Sequence, residues 1–260
     1  MKVIILAGGL GTRISEETQD KPKPMVLIGD KPILWHIMNI YSRQGYNEFV
    51  VSLGYKGDLI RNWLKSISIG EPTVETAELL NLRVLLYKGQ TATVSALETG
   101  LNTQTGGRIA RALDLFPNEK VMATYGDGLG NVNIRELEIQ HTSNSKIATV
   151  TAVHPPARFG YLKLEGAEVT HFGEKNQSDS GRINGGFFVL EAQCRNFIHS
   201  DTDSFESDVL PRIVKAGQLG AFLHDGFWQP MDTLREKQDL EKLAQLDIPP
   251  WIESLEDNSL

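Results

Sequence analysis

The stretch that most constrains the fold is Val3-Ile4-Ile5-Leu6-Ala7 together with the loop after it, Gly8-Gly9-Leu10-Gly11-Thr12-Arg13. Five apolar residues without alternation are too few for a helix and read as a parallel strand buried on both faces. Three glycines and an arginine follow at once. Glycine lets backbone N–H groups come close to a ligand, and a guanidinium offers a planar fork of donors suited to phosphate. Lys21-Pro22-Lys23-Pro24-Met25 extends the basic character. A strand ending in such a loop is built to hold an anion at its carboxyl end.

Downstream, the spacing of Leu34, Ile37, Met38 and Tyr41 predicts a helix over 32–44, closed by Gly45. A strand is expected at 48–53 and a helix at 58–64, a strand–helix alternation that predicts a parallel sheet. Residues 66–82 give no clear pattern, 83–88 is a strand candidate, and 95–115 carries mixed helical signals broken by Gly106-Gly107. The run 121–125 reads as another buried strand and ends in Gly126-Asp127-Gly128. In open α/β sheets ligands gather outside the carboxyl ends of the strands, so Asp127 and the first loop can face one crevice. A helix at 133–141 and a strand at 147–153 follow. The short strand candidates 161–164, 168–172 and 186–190 suggest a mixed extension, and 206–216 has helical spacing weakened by Pro211. Thr233 and Glu236 form a capping-box pair that opens a last helix, with Asp232 just before it.

Composition limits what such a chain does. With 260 residues and 40 % hydrophobic content it supports a full α/β core. No run approaches the roughly 18 apolar residues of a membrane span, and the first apolar run is shorter than a signal-peptide core, so a cytoplasmic location is expected. The lone Cys194 excludes an internal disulfide, and the six histidines lack zinc-ligand spacing. A formal charge of −7 argues against nonspecific nucleic-acid binding, which depends on a broad basic face.

Two nucleotide motifs fail. Gly9-Leu10-Gly11 is followed by Ile14 where a dinucleotide fingerprint has glycine or alanine, and a Walker A loop is absent. What remains is Ala7-Gly8-Gly9-Leu10-Gly11-Thr12-Arg13, Lys21-Pro22-Lys23-Pro24-Met25, Tyr125-Gly126-Asp127, Glu174-Lys175, Asn184-Gly185-Gly186 and Trp228-Gln229-Pro230-Met231-Asp232-Thr233. Together these resemble the sugar-1-phosphate nucleotidylyltransferases, and in particular their cytidylyl branch. The resemblance covers nearly the whole chain, is weakest over residues 66–94, and departs at Asn176, where the family has proline.

The resemblance implies a Rossmann-like, mostly parallel mixed α/β sheet flanked by helices, with a small β-rich sugar-binding extension of the GT-A-like kind. Residues 1–260 would form one domain, with about 1–150 as the nucleotide-binding half and about 151–260 as the sugar-phosphate-binding and C-terminal helical part. It further implies transfer of a cytidylyl group from CTP to a sugar 1-phosphate, glucose 1-phosphate first among them, in a homo-oligomer that extends in the family to hexamers. Leu6, Gly8, Gly9, Gly11, Thr12, Arg13, Lys23, Thr105 and Arg108 would meet the nucleotide, with Arg13, Lys23 and Asp127 catalytic. Tyr125, Gly126, Glu174, Lys175, Asn184 and Gly185 would hold the sugar phosphate. Between Arg13 and Lys23 three basic residues are balanced by Glu16, Glu17 and Asp20, so the loop cannot neutralise the phosphates alone. A magnesium ion is expected to supply the remainder, and the resemblance implies that Asp127 and Asp232 hold it.

Plainer readings stand beside these. The glycines also suit a tight turn, Asp127 a turn position, Asp232 the capping region, and Trp228 either core or sugar platform. UTP or dTTP in place of CTP, another sugar 1-phosphate in place of glucose 1-phosphate, and a non-catalytic sugar-nucleotide-binding module are the alternatives in function.

Overall fold

The computed structural model describes residues 1–156, 161–173 and 181–252 and begins with β1 (Lys2–Leu6), α1 (Ile33–Ser42), β2 (Glu48–Leu53) and α2 (Gly57–Ser66). It continues through β3 (Leu79–Leu85), β4 (Thr91–Glu98), α3 (Thr105–Leu113), β5 (Val121–Tyr125), α4 (Ile134–Asn144) and β6 (Ala148–Val153). The later part adds β7 (Phe188–Leu190), α5 (Leu210–Lys215), β8 (Leu219–His224) and α6 (Leu234–Ala244).

β1 lies between β5 and β2 and is parallel to both, and β2 is parallel to β4. Central position explains the unbroken apolar run: Val3, Ile4 and Ile5 are all fully buried. Successive side chains alternate across the sheet. Val3 and Ile5 join the apolar layer built from α1, α2, α4 and α6, through residues such as Leu34, Ile60, Leu137 and Leu240. Ile4 belongs to the opposite layer, with Ile109 of α3 and Ile213 of α5. Burying an Ile side chain contributes about 1.5–3 kcal/mol relative to leaving it in water, and only a sheet covered on both faces collects that at every position.

The edges are mixed, as the family resemblance implies. β3 runs antiparallel to β4, and β7 runs antiparallel to β5 and β6. β8 then lies parallel to β6. Several boundaries differ from the sequence expectation. The strand expected at 83–88 is β3, which begins four residues earlier, at Leu79, with Leu80, Leu82 and Val84 facing the core. The stretch 95–115 resolves into the end of β4 and the helix α3. Gly106 and Gly107 do not break that helix, because they let its first turn sit against the backbone of Asp201 and Asp203. A Cβ on Gly106 would stand 2.6 Å from the Asp203 carbonyl oxygen, whereas the Gly106 N–H donates to that oxygen at 2.9 Å. Over 206–216 a π-turn, Phe205–Val209, precedes α5, and Pro211 falls in the first turn of α5, where the missing N–H costs little.

The capping box is formed as expected. Thr233 Oγ1 accepts from the Glu236 N–H at 3.2 Å, and Glu236 Oε2 accepts from the N–H groups of Thr233 at 3.0 Å and Asp232 at 2.7 Å. Thr233→Ala is expected to cost about 1 kcal/mol. Urea denaturation checks this as a lowered midpoint at constant m-value; an unchanged midpoint would mean that the box contributes nothing to stability.

Candidate active site

From β1 the chain crosses to β2 on one side, and β5 later occupies the other side of β1. The loops leaving the two neighbours therefore diverge, opening a crevice at the topological switch point. Leu6 and Tyr125 are register partners at its floor. The crevice encloses about 210 Å³ and is walled by Leu6, Ala7, Gly9, Gly11 and Thr12, by Lys23 and Pro24, by Gly126 and Asp127, and by Asp232. Residues separated by more than 200 positions thus meet in one cavity.

Lys23 stands at the centre of this wall. Pro22 and Pro24 flank it and fix the chain into a short 3-10 turn, Lys23–Met25. The residue is only 8 % exposed, and its ammonium donates to Asp127 Oδ2 at 2.7 Å and to Asp232 Oδ1 at 2.6 Å. Burial works against the charge on Lys23, but the two carboxylates, Asp127 first, outweigh it and raise the pKa above the ordinary lysine value. Lys23 therefore stays charged at neutral pH.

A two-stranded ribbon presents the two carboxylates. Gly128–Gly130 pairs antiparallel with Trp228–Pro230, and the Met231 N–H donates to the Asp127 carbonyl at 2.8 Å. Asp127 leaves one strand of the ribbon where Asp232 follows the other. Because Thr233 and Glu236 cap α6, the Asp232 carboxylate is spared for Lys23. Among the described residues no group of three or more His, Cys, Asp and Glu side chains converges on one point. Asp127 Oδ2 and Asp232 Oδ1 converge on the Lys23 ammonium, and as hard carboxylate oxygens they are the kind of donor that would suit a magnesium ion completed by phosphate oxygens and water.

The other expected site residues fall into four groups. Gly8 lies under the loop, its carbonyl accepting from the Tyr55 N–H at 3.1 Å. Tyr125, the last residue of β5, lies beside Asn184 and Gly185. Asn184 Nδ2 donates to Tyr125 Oη at 2.8 Å. Burial first, and then Glu206, pushes the Tyr125 hydroxyl well above its ordinary pKa, so it remains a neutral donor and acceptor. Arg13 sits in the turn Thr12–Ile14; its side chain, with Glu174 and Lys175, lies outside the described residues.

Thr105 and Arg108, expected at the nucleotide, are both engaged in bonds within the protein. Thr105 Oγ1 donates to Glu206 Oε2 at 2.7 Å and accepts from the Phe205 N–H at 2.8 Å, which fastens α3 to the following segment. Arg108 is 3 % exposed and donates to the carbonyls of Leu53 at 2.7 Å and Gly8 at 3.0 Å, and to Thr99 Oγ1. Its guanidinium braces the first loop from below. Gly8 is required there, since a Cβ would stand 2.2 Å from Arg108 Nη1. Burial is the largest influence on Arg108 and lowers its pKa, but an arginine has ample margin to stay charged at neutral pH. Sequence reasoning did not assign Glu206 or the Trp228 indole N–H. A phosphate-loop motif carries no signal for either.

Residues 2–235 match the family model described as nucleotidyl transferase. The chain belongs to this family and is a nucleotidyltransferase. It is 42 % identical to the glucose-1-phosphate cytidylyltransferase of Salmonella typhi, over 96 % of this chain and 98 % of that one. It is 28 % identical to the D-glycero-alpha-D-manno-heptose 1-phosphate guanylyltransferase of Aneurinibacillus thermoaerophilus, over 88 % of this chain and 91 % of that one. The crystal structure of HddC from Yersinia pseudotuberculosis overlays with a TM-score of 0.68 at 25 % identity, covering 93 % of this chain and 98 % of that chain. Among the described residues no helix is long and apolar enough to cross a membrane.

Proposed function

We propose that the protein transfers the cytidylyl group of CTP to glucose 1-phosphate, giving CDP-glucose and pyrophosphate. The observation that carries the chemistry is the convergence of Lys23, Asp127 and Asp232 in the crevice at the ends of β1 and β5. The cytosine base and the glucose are supported by the 42 % identity to a glucose-1-phosphate cytidylyltransferase over nearly the full length of both chains.

In this reading a phosphate oxygen of the sugar 1-phosphate attacks the α-phosphorus in line, and the bond to the β-phosphate oxygen breaks as pyrophosphate leaves. The second phosphate pKa is near ~6, so the nucleophile is already ionised at neutral pH and no residue has to remove a proton. The chain's task is positioning and charge neutralisation. Gly9, Gly11 and Thr12 present the first loop to the nucleotide. Lys23 supplies an ammonium to the α-phosphate as negative charge builds there. Asp127 and Asp232 hold the cation site, and Tyr125, Asn184 and Gly185 take the sugar phosphate, joined by Glu174 and Lys175. A magnesium ion bound by the two carboxylates would neutralise charge on the triphosphate oxygens.

A pyrophosphate-release assay crossing four nucleoside triphosphates with several sugar 1-phosphates, with and without magnesium, tests the reading. Turnover is expected with CTP and glucose 1-phosphate and only when magnesium is present. Preference for UTP or dTTP would replace the base, and no turnover with any pair would leave a binding module.

A further inference from the structure

The loop Asn184-Gly185-Gly186 is held almost entirely by its neighbours in the sheet. Gly185 N–H donates to the Thr151 carbonyl at 2.9 Å, Thr151 N–H donates to the Gly186 carbonyl at 3.2 Å, and Gly186 N–H donates to Asn184 Oδ1 at 2.8 Å. The Gly185 carbonyl is different. It accepts from the indole N–H of Trp228 at 2.8 Å, across 43 residues of sequence.

Trp228 is the first residue of the ribbon strand Trp228–Pro230, paired with Gly130, and four residues further on that segment delivers Asp232. Its ring packs against the main apolar layer, but packing alone would leave the N–H free to point anywhere. The N–H instead ties the ribbon that presents the carboxylates to the loop that presents Asn184. Without that donor the loop loses its tie to the ribbon and keeps its bonds to Thr151 and Tyr125, so its place relative to the ribbon and Asp127 is no longer fixed from that side.

We infer that Trp228 is a positioning residue for the sugar phosphate, acting through its N–H on the Gly185 carbonyl and setting the distance between the sugar-phosphate loop and the Asp127–Asp232 pair. The inference rests on the proposed function, in which Tyr125, Asn184 and Gly185 hold the sugar phosphate. A half-buried carbonyl that loses its donor loses binding in ground state and transition state alike, so the effect falls on KM for one substrate.

The test is steady-state kinetics of W228F, and of a variant carrying 3-benzothienylalanine at position 228, in which sulfur replaces only the N–H. Both are expected to raise KM for glucose 1-phosphate about tenfold, with kcat and KM for CTP within about twofold of wild type. Thermal melting by circular dichroism accompanies each variant. Should W228F fold poorly, the benzothienylalanine variant, which keeps the bicyclic ring, decides. An unchanged KM for glucose 1-phosphate, or equal rises for both substrates, overturns the inference while a turning-over wild type keeps the functional reading intact. A wild type that turns over no sugar 1-phosphate overturns both.

Discussion

Lys23→Met lowers kcat by about a thousandfold while KM for CTP changes by less than tenfold. Methionine keeps most of the stem and removes the charge, so the variant isolates the ammonium. The reaction adds a phosphate monoester to a triphosphate, and the charge on the α-phosphoryl oxygens is greatest in the transition state. A single preorganised donor aimed at such charge is worth roughly 10²–10³ in rate. A charge pair about 4 Å apart at an effective dielectric of about 20 is worth on the order of 4 kcal/mol, and tenfold in rate is about 1.36 kcal/mol, so the two estimates agree. Lys23 is held in place by burial and by two carboxylates, and among the described residues no other lysine lines the crevice. Single-turnover measurement of pyrophosphate release separates the chemical step from product release. A kcat within tenfold of wild type would remove Lys23 from the transition state.

Asp127→Asn and Asp232→Asn each lower turnover by about a thousandfold, and the double variant is no worse than the poorer single one. Asparagine keeps the shape of aspartate and halves its capacity as a hard anionic ligand, so both variants weaken a cation site without opening a cavity. Residues that act as one unit are strongly non-additive, and two carboxylates converging on one point are such a unit. Asp232 carries the sharper test because its place before α6 also suits a cap. The structure assigns the cap to Thr233 and Glu236, and the contact of Asp232 with Glu236 runs through its backbone N–H, which the substitution leaves untouched. Asp232→Asn should therefore melt within a few degrees of wild type while losing turnover. A variant that keeps a tenth or more of the wild-type rate would return Asp232 to a purely structural role.

The centre of the sheet was legible because its pattern is dictated locally. A central parallel strand is apolar at every position, and β1, β2 and β5 all announce themselves that way. β4 was obscured since its inward residues are the small Ala92 and Ala96 with Val94, and its outward ones are Thr91, Thr93 and Ser95, which read as a polar linker. β8 gave no signal because Gly220 and Ala221 interrupt it, and its support comes from β6, some 70 residues earlier. At the site, Lys23 and Asp127 could be picked out by their neighbours in sequence. Arg108 could not be placed, because its surroundings are three carbonyls and a hydroxyl from distant strand ends, and burial rather than residue type decides what a guanidinium meets.

The ribbon of Gly128–Gly130 and Trp228–Pro230 has a consequence for diversification. It fixes Asp127 and Asp232 to backbone that pairs regardless of side chain, and Lys23 to a turn set by two prolines. Base and sugar, in the proposed function, are met by loop surfaces around this triad. Substitutions in those loops can exchange a nucleobase or a hexose for a heptose without disturbing the three charged groups, in keeping with a relative of similar length that is named for guanylyl transfer to a heptose phosphate. Substrate choice in such a chain can drift one loop at a time, while the charge arrangement stays locked by the ribbon and the turn.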